Sequence, residues 1–367
     1  MTGLAHPAVW RGADAAPPAR PPASASPARP RPASAPPARR DDRRLLRVDP
    51  ATARLSVSPV RALAEQLAPG DLLVVNDAAT LPASLAGRDE RGAPVEVRLR
   101  RPRGGAAWEV VVFGAGDHRT RTERRARPRL RPGAAVVFGD GALRASVTRS
   151  GDPTHDLCFD REGAALVLAL HRVGKPVQYA HVPDELAVWD VQTVYAGRPW
   201  ASEAPSAGRP LSVAALLALR ARGVGLAALT HGAGLSSVGD EAADALPPPP
   251  ERTWLPARTI DAIEAARAAG GRVVAVGTTV ARALEGALAE RGALLPGEWE
   301  TGFVLGPATR PRVVSGLLSG LHDPGTSHRA LLSAFAPEAL LERAWAHAGE
   351  LALESHELGD LMLILPR

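Results

Sequence analysis

From residue 87 to 161 apolar and polar positions alternate with a period of two, as in Val95-Glu96-Val97-Arg98-Leu99, and Gly-rich turns cut the pattern into short pieces. That period sends successive side chains to opposite faces of a strand. The segments 95–99, 108–113, 134–138 and 143–147 are therefore expected to form a small antiparallel barrel or sandwich. Outside this stretch the pattern changes. A helix is expected over 60–67, stopped by Pro69-Gly70, and the apolar run at 71–75 reads as a strand buried on both faces. After residue 164, helical periods at 164–171, 212–222, 256–269, 280–291, 326–335 and 337–353 alternate with apolar runs at 224–230, 272–276, 302–305, 312–318 and 361–365. Such alternation predicts an α/β fold. The expected organisation is a large α/β domain made of 41–86 and 162–367, with the small antiparallel β-barrel domain of 87–161 inserted into it.

Residues 1–40 belong to neither pattern. They hold ten prolines and a repeated Pro-Ala-Ser-Arg vocabulary, which cannot bury apolar surface, so a disordered tail without catalytic role is expected. The tail also explains the charge. Its six Arg against the single acid Asp14 give +5, which equals the net charge of the whole chain, so the body from 41 onward is formally neutral. Contacts with phosphates must then come from local patches. One candidate is the run from Arg119 to Arg131 with seven Arg, which could grip RNA or serve only as a solvated loop.

Lys175 is the only lysine and Cys158 the only cysteine. A single thiol excludes an internal disulfide and a Cys-rich metal site and suits a reducing compartment. In the alternating stretch His155-Asp156-Leu157-Cys158-Phe159 it reads as a buried strand thiol. No stretch approaches the length of a membrane span, and the first ten residues lack a basic region followed by an apolar one. A cytoplasmic monomer with no membrane contact, no metal and no prosthetic group is expected.

Candidate chemistry gathers where apolar runs end. At Gly277-Thr278-Thr279 a buried strand meets a helix, and the free N–H groups, the two hydroxyls and the helix dipole make an anion site. Arg282 lies one turn further on, with Glu285 after it; a plain cap with a salt bridge would use the same residues. His322 follows the run 312–318 and could act as acid, base or orienting donor, or simply bond turn backbone. Asn76-Asp77, Thr230-His231 and Asp360 also stand at strand ends. Gln192-Thr193-Val194-Tyr195 and Pro205-Ser206-Ala207-Gly208 offer polar groups beside small residues that a ligand can approach closely. In α/β sheets ligands bind at the carboxyl ends of strands, so convergence on one pocket is expected.

These blocks carry a resemblance. In order along 40–367, Gly-Asp-Leu-Leu-Val-Val-Asn-Asp (70–77), Gln-Thr-Val-Tyr-Ala (192–196), Ala-Pro-Ser-Ala-Gly (204–208), Val-Ala-Val-Gly-Thr-Thr with Arg282 and Leu284-Glu285, Val-Val-Ser-Gly-Leu-Leu with His322 and Pro324, and Gly359-Asp360 resemble the S-adenosylmethionine:tRNA ribosyltransferase-isomerase family of the queuosine pathway. The resemblance implies an α/β domain with an inserted β-barrel. It also implies an enzyme that moves the ribosyl part of S-adenosylmethionine, a co-substrate, onto a 7-aminomethyl-7-deazaguanine in tRNA. The ribose is isomerised to give epoxyqueuosine, and adenine and methionine are released. By the same resemblance Gly277, Thr278, Thr279 and Arg282 would cradle the methionine carboxylate, with Glu285, Pro205, Ala207 and Gly208 also around the co-substrate. His322, Asp360 and Arg282 would serve catalysis, and Asn76, Asp77, Gln192, Thr193, Tyr195 and His231 would face the acceptor.

The chain departs from the family pattern at set positions. Two Arg are absent from 76–85, a His is replaced within Arg209-Pro210, His231 stands one place out of register, Pro249-Pro250 replace Met-His before Glu251, and Gly325 replaces a Lys. Such side chains hold phosphates and move protons. The resemblance therefore extends to a divergent member or paralogue, with a different acceptor or a non-catalytic nucleoside- or RNA-binding role as alternatives.

Overall fold

The computed structural model describes residues 28–244 and 246–366. Its larger body is a nine-stranded sheet with the order Gly297–Thr301, Glu251–Leu255, Gly225–His231, Leu72–Asn76, Val273–Val276, Gly316–Gly320, Leu361–Ile364, Arg44–Asp49 and Arg54–Pro59. The four strands from Gly225–His231 to Gly316–Gly320 run parallel, whereas Leu361–Ile364 runs antiparallel to its neighbour Gly316–Gly320.

Helices cover both faces, and the strand sequences show why. Leu72, Val74, Val273, Ala275 and Leu317 point into one apolar cluster with Ile260, Ile263, Val280, Leu284, Leu341 and Trp345. Their neighbours Leu73, Val75, Val274, Val276 and Leu318 point into another with Val60, Leu63, Leu211 and Leu219. A strand buried on both sides has no polar face, hence the uninterrupted apolar runs.

The second body is a closed six-stranded antiparallel barrel. Ser84–Arg88, Pro94–Gly104, Ala107–Phe113, Thr154–Phe159, Leu143–Arg149 and Ala135–Phe138 pair in turn, and the last closes onto the first. Leu166, Ala169 and Leu170 of the helix Gly163–Val173 fill the barrel core, and Gly174–Lys175 pairs with Ser84–Arg88. The expected insert limits of 87 and 161 are thus corrected outward, because that helix spends its apolar stripe on the barrel. Cys158 lies on a barrel strand, half-buried and free. Among the basic run, Arg119, Arg121, Arg125, Arg127, Arg129 and Arg131 each have a carboxylate partner, so it is an ion-paired surface rather than a bare one.

Two further expectations are corrected. The strand read at 302–305 lies instead at Gly297–Thr301, and that read at 312–318 starts at Gly316. The tail read as disordered over 1–40 falls partly outside the described residues, but 28–40 is built into the fold. Arg31–Pro32 pairs with Glu354–Ser355, Ala33 is fully buried, and Arg40 donates to the carbonyls of Gln192 and Arg209. Proline suits this segment because it pairs only as an edge. Among the described residues no helix is long and apolar enough to cross a membrane.

Candidate active site

The parallel strands bring their carboxyl ends to one rim, which collects Asn76, His231, Gly277 and the loop bearing His322. The antiparallel Leu361–Ile364 begins at that rim, so Asp360 is there too.

The turn after Val273–Val276 carries the anion-site geometry. Gly277 has φ +93° and ψ 151°, a region only glycine enters freely, and the helix Thr278–Arg291 starts directly after it. Asn76 ties this turn to the neighbouring strand. Its Nδ2 donates to the His231 carbonyl at 2.9 Å and reaches Thr279 Oγ1 at 3.4 Å, while its Oδ1 accepts from His231 N at 2.9 Å. Behind it lies a buried chain. His231 Nδ1 meets Thr253 Oγ1 at 2.8 Å and its Nε2 meets Glu251 Oε2 at 2.9 Å. Glu251 also accepts from Gly234 N and pairs with Arg282. Burial opposes ionisation of Glu251, but the His231 bond and the charges of His231 and Arg282 outweigh it and hold its carboxyl below the usual range.

Next to Gly277 stand two buried hydroxyls. Thr193 Oγ1 and Tyr195 Oη have no hydrogen-bond partner among the described residues. Gly208 is essential here, since any side chain on it would sit 2.0 Å from Tyr195 Oη, and Ala207 lies beside the Gly277 turn. Burial pushes the Tyr195 phenol up, so it stays a neutral donor. Pro205 starts the short turn Ser206–Gly208 by accepting from Gly208 N at 3.0 Å. Asp77 receives the Thr230 hydroxyl and anchors Gly197 through its carbonyl.

Histidines line the other side of the rim. His322 Nε2 lies 2.9 Å from Ser319 Oγ, and its ring stacks on His328 at 5.0 Å. Burial, then the charges of His328, His356 and Arg329, hold His322 well below the ordinary imidazole value. Burial lowers His328 as well. Both rings are neutral near pH 7 and can accept a proton. Beyond them Tyr179 donates to Glu203, whose carboxyl is pushed up by burial, and His181 pairs with Glu357.

Four of the candidate residues are taken up by contacts within the fold. Arg282 does not face the cradle: its donors go to Glu251 and to the carbonyls of Phe303, Pro249, Pro248 and Thr301. Glu285 is occupied by the N–H groups of Arg312, Val313 and Val314 at 2.8–2.9 Å. Asp360 accepts from Arg44 N, from the Arg44 guanidinium and from Glu354 N, so it locks strand ends together. Gln192 spends both ends of its amide on the backbone of Thr80 at 2.9–3.0 Å. Arg282, Glu285 and Asp360 are buried and Gln192 half-buried, and each bonds backbone groups of other segments. The rim residues missed by sequence reasoning are Tyr179, His181, Glu203, Glu251, His328, His356 and Glu357. Most lie in loops, His328 stands in the first turn of the short helix Ser327–Leu332, and Glu251 opens a strand next to the sheet edge, where no period marks them.

A mixed sheet with four parallel strands at its centre, a glycine-opened helix start, unpaired buried hydroxyls and neutral histidines is the layout of an α/β enzyme. Residues 28–364 match the family model described as queuosine biosynthesis protein. The S-adenosylmethionine:tRNA ribosyltransferase-isomerase of Rhodospirillum rubrum is 37% identical over 332 residues, covering 89% of this chain and 92% of the relative. Its namesake from Geobacter sulfurreducens is 33% identical over 333 residues, with 89% and 93% covered. The crystal structure of S-adenosylmethionine tRNA ribosyltransferase from Thermotoga maritima superposes with a TM-score of 0.50 at 24% identity, covering 91% of this chain and 96% of that one, which shows the shared fold. The chain belongs to the S-adenosylmethionine:tRNA ribosyltransferase-isomerase family of queuosine biosynthesis.

Proposed function

We propose that this chain transfers the ribosyl part of S-adenosylmethionine to a 7-aminomethyl-7-deazaguanine in tRNA and isomerises it to epoxyqueuosine, with release of adenine and methionine. The supporting observation is the pair of buried, unpartnered hydroxyls of Thr193 and Tyr195 against Gly208, whose neighbour Ala207 lies beside Gly277. Buried polar atoms without partners are rare in folded proteins, and a ligand rich in hydroxyl and amine groups completes them. The Gly277 N–H is spent on the Leu318 carbonyl, and the start of the helix Thr278–Arg291 directly after it suits the methionine carboxylate. The sulfonium acidifies the adjacent C5′ hydrogens; a neutral imidazole removes one, and the resulting ylide expels adenine. The substrate amine then takes up the freed carbon chain. His322 is the proposed base, since burial keeps its ring unprotonated. Arg282, His231 and Glu251 act as positioning residues for the Asn76–Thr279 contact. The expected setting is the cytoplasm, where the tRNA is.

A second reading keeps the donor chemistry and changes the acceptor. The missing Arg residues of 76–85 and the prolines 249–250, whose neighbouring carbonyls serve Arg282 rather than substrate, favour it. The test is incubation of the full chain with S-adenosylmethionine, with and without tRNA carrying the 7-aminomethyl base, followed by chromatography. Adenine release that requires that tRNA is the expected result. Adenine release with unchanged tRNA supports the second reading, and no adenine under any condition overturns both.

A further inference from the structure

We propose that His181, His356 and Glu357 form a binding site for a divalent cation of the zinc class. One ligand atom from each of these half-buried side chains lies within 4.8 Å of the other two. Two imidazoles and a carboxylate are the donor set that zinc and its neighbours in the transition series favour, with room left for water.

The surroundings are arranged as for such a site. His181 Nε2 and Glu357 Oε2 stand 2.9 Å apart, and the two histidine rings are 4.7 Å apart between centroids. Asp323 meets His356 Nε2 at 3.1 Å, and a carboxylate on a ring nitrogen is what ordinarily orients a metal-bound histidine. The Tyr179 ring stacks on His181 at 6.5 Å. His356 is held at φ +66°, a left-handed conformation that costs energy for a residue with a Cβ, so the turn is bent to bring this ring to its partners.

Charge points the same way. Two carboxylates, Glu357 and Asp323, meet the two imidazoles of this cluster. The positive groups acting nearby are Arg29 on Asp323 and Arg98 on Tyr179. A divalent ion would balance the remainder and tie the 176–182 loop to the 354–360 turn. His181 and Glu357 are 176 positions apart, so no spacing in the sequence announces the pair, and the single cysteine that excludes a Cys-rich site does not bear on one built from His and Glu.

The experiment uses the full chain, stripped with EDTA, and titrates Zn²⁺ against a chromophoric chelator. One ion per chain is expected. His181→Ala and His356→Asn, the latter chosen because asparagine tolerates the left-handed backbone, should each weaken binding by roughly 100-fold or more, and Asp323→Asn by about 10- to 100-fold. Co²⁺ should give visible d–d absorption that disappears in the same variants. His347→Ala, at an exposed pair on the helix Glu338–Glu350, should change nothing. Circular dichroism checks that each variant is folded, and Glu357→Gln, which keeps the bond to His181, gives an independent arm. Wild-type protein that binds Zn²⁺ no more tightly than the His181→Ala/His356→Asn double variant overturns the proposal. The readout is metal itself, so it is independent of adenine release.

Discussion

At the level of single residues, the rim separates groups that bind from groups that brace. Tyr195 is the clearest of the first kind, because its hydroxyl is buried without a partner. In Tyr195→Phe the desolvated hydroxyl disappears and no internal hydrogen bond is lost. Thermal stability should therefore hold or rise slightly, while KM for S-adenosylmethionine should rise about tenfold, the worth of one hydrogen bond to the ligand. A fall in melting temperature with unchanged KM would mean that the ring only packs. The histidines make a second test. In the EDTA-stripped protein, His322 and His328 are depressed and should titrate below 6.5 in ring-proton NMR, whereas His356, raised chiefly by its bond to Asp323, should titrate above it. The signs for stability are opposite. The His356 contribution is complete below 6.5 and is lost as pH rises through its folded value. That of His322 is complete above 6.5 and is lost as pH falls toward its lowered value.

At the level of elements, the legible parts of the chain were those with a period. The runs at 71–75 and 272–276 are apolar at every position because both sheet faces are covered, and the barrel strands alternate because one face looks inward. Glu251–Leu255 escaped notice because it is polar on one side and pairs antiparallel near the sheet edge, and Arg44–Asp49 because its two Arg break the apolar run. The site was half legible for a related reason. Glycines and hydroxyls near element ends mark candidate ligand positions: Gly277 and His322 follow strands, and Thr193 and Tyr195 follow the short helix Val188–Val191. Whether a charged residue faces the ligand or a backbone amide depends on loops that pair over long separations. Glu285 looks like a ligand-side carboxylate on the helix, yet it meets three amides 27 to 29 residues away. Nothing local distinguishes those two fates.

At the level of the whole molecule, the segment 28–40 acts as a strap. Ala33 fills a small apolar cluster with Val182, Leu186, Val191 and Leu358, and Arg31–Pro32 pairs beside the turn that carries His356 and Glu357. Arg40 joins the 188–196 loop to Arg209, and Arg43 pairs with Glu354. The strap therefore adds to the contacts that the two loops already make with each other through His181, Glu357, His356 and Leu358. A chain starting at residue 41 keeps the sheet and the barrel, both closed by their own strands. It loses the Arg31–Pro32 pairing, the Ala33 burial and the Arg40 hydrogen bonds, about 2–4 kcal/mol at roughly 1 kcal/mol per contact. Compared with a chain starting at residue 28, it should unfold at lower urea concentration. Hydrogen exchange should quicken selectively at 177–192 and 354–360, while the barrel strands stay protected. Uniform exchange in both chains would mean that the loops hold themselves and that the strap is ornamental. Selective loosening would tie the order of the rim to a proline-rich segment that, judged by composition alone, has no reason to be ordered.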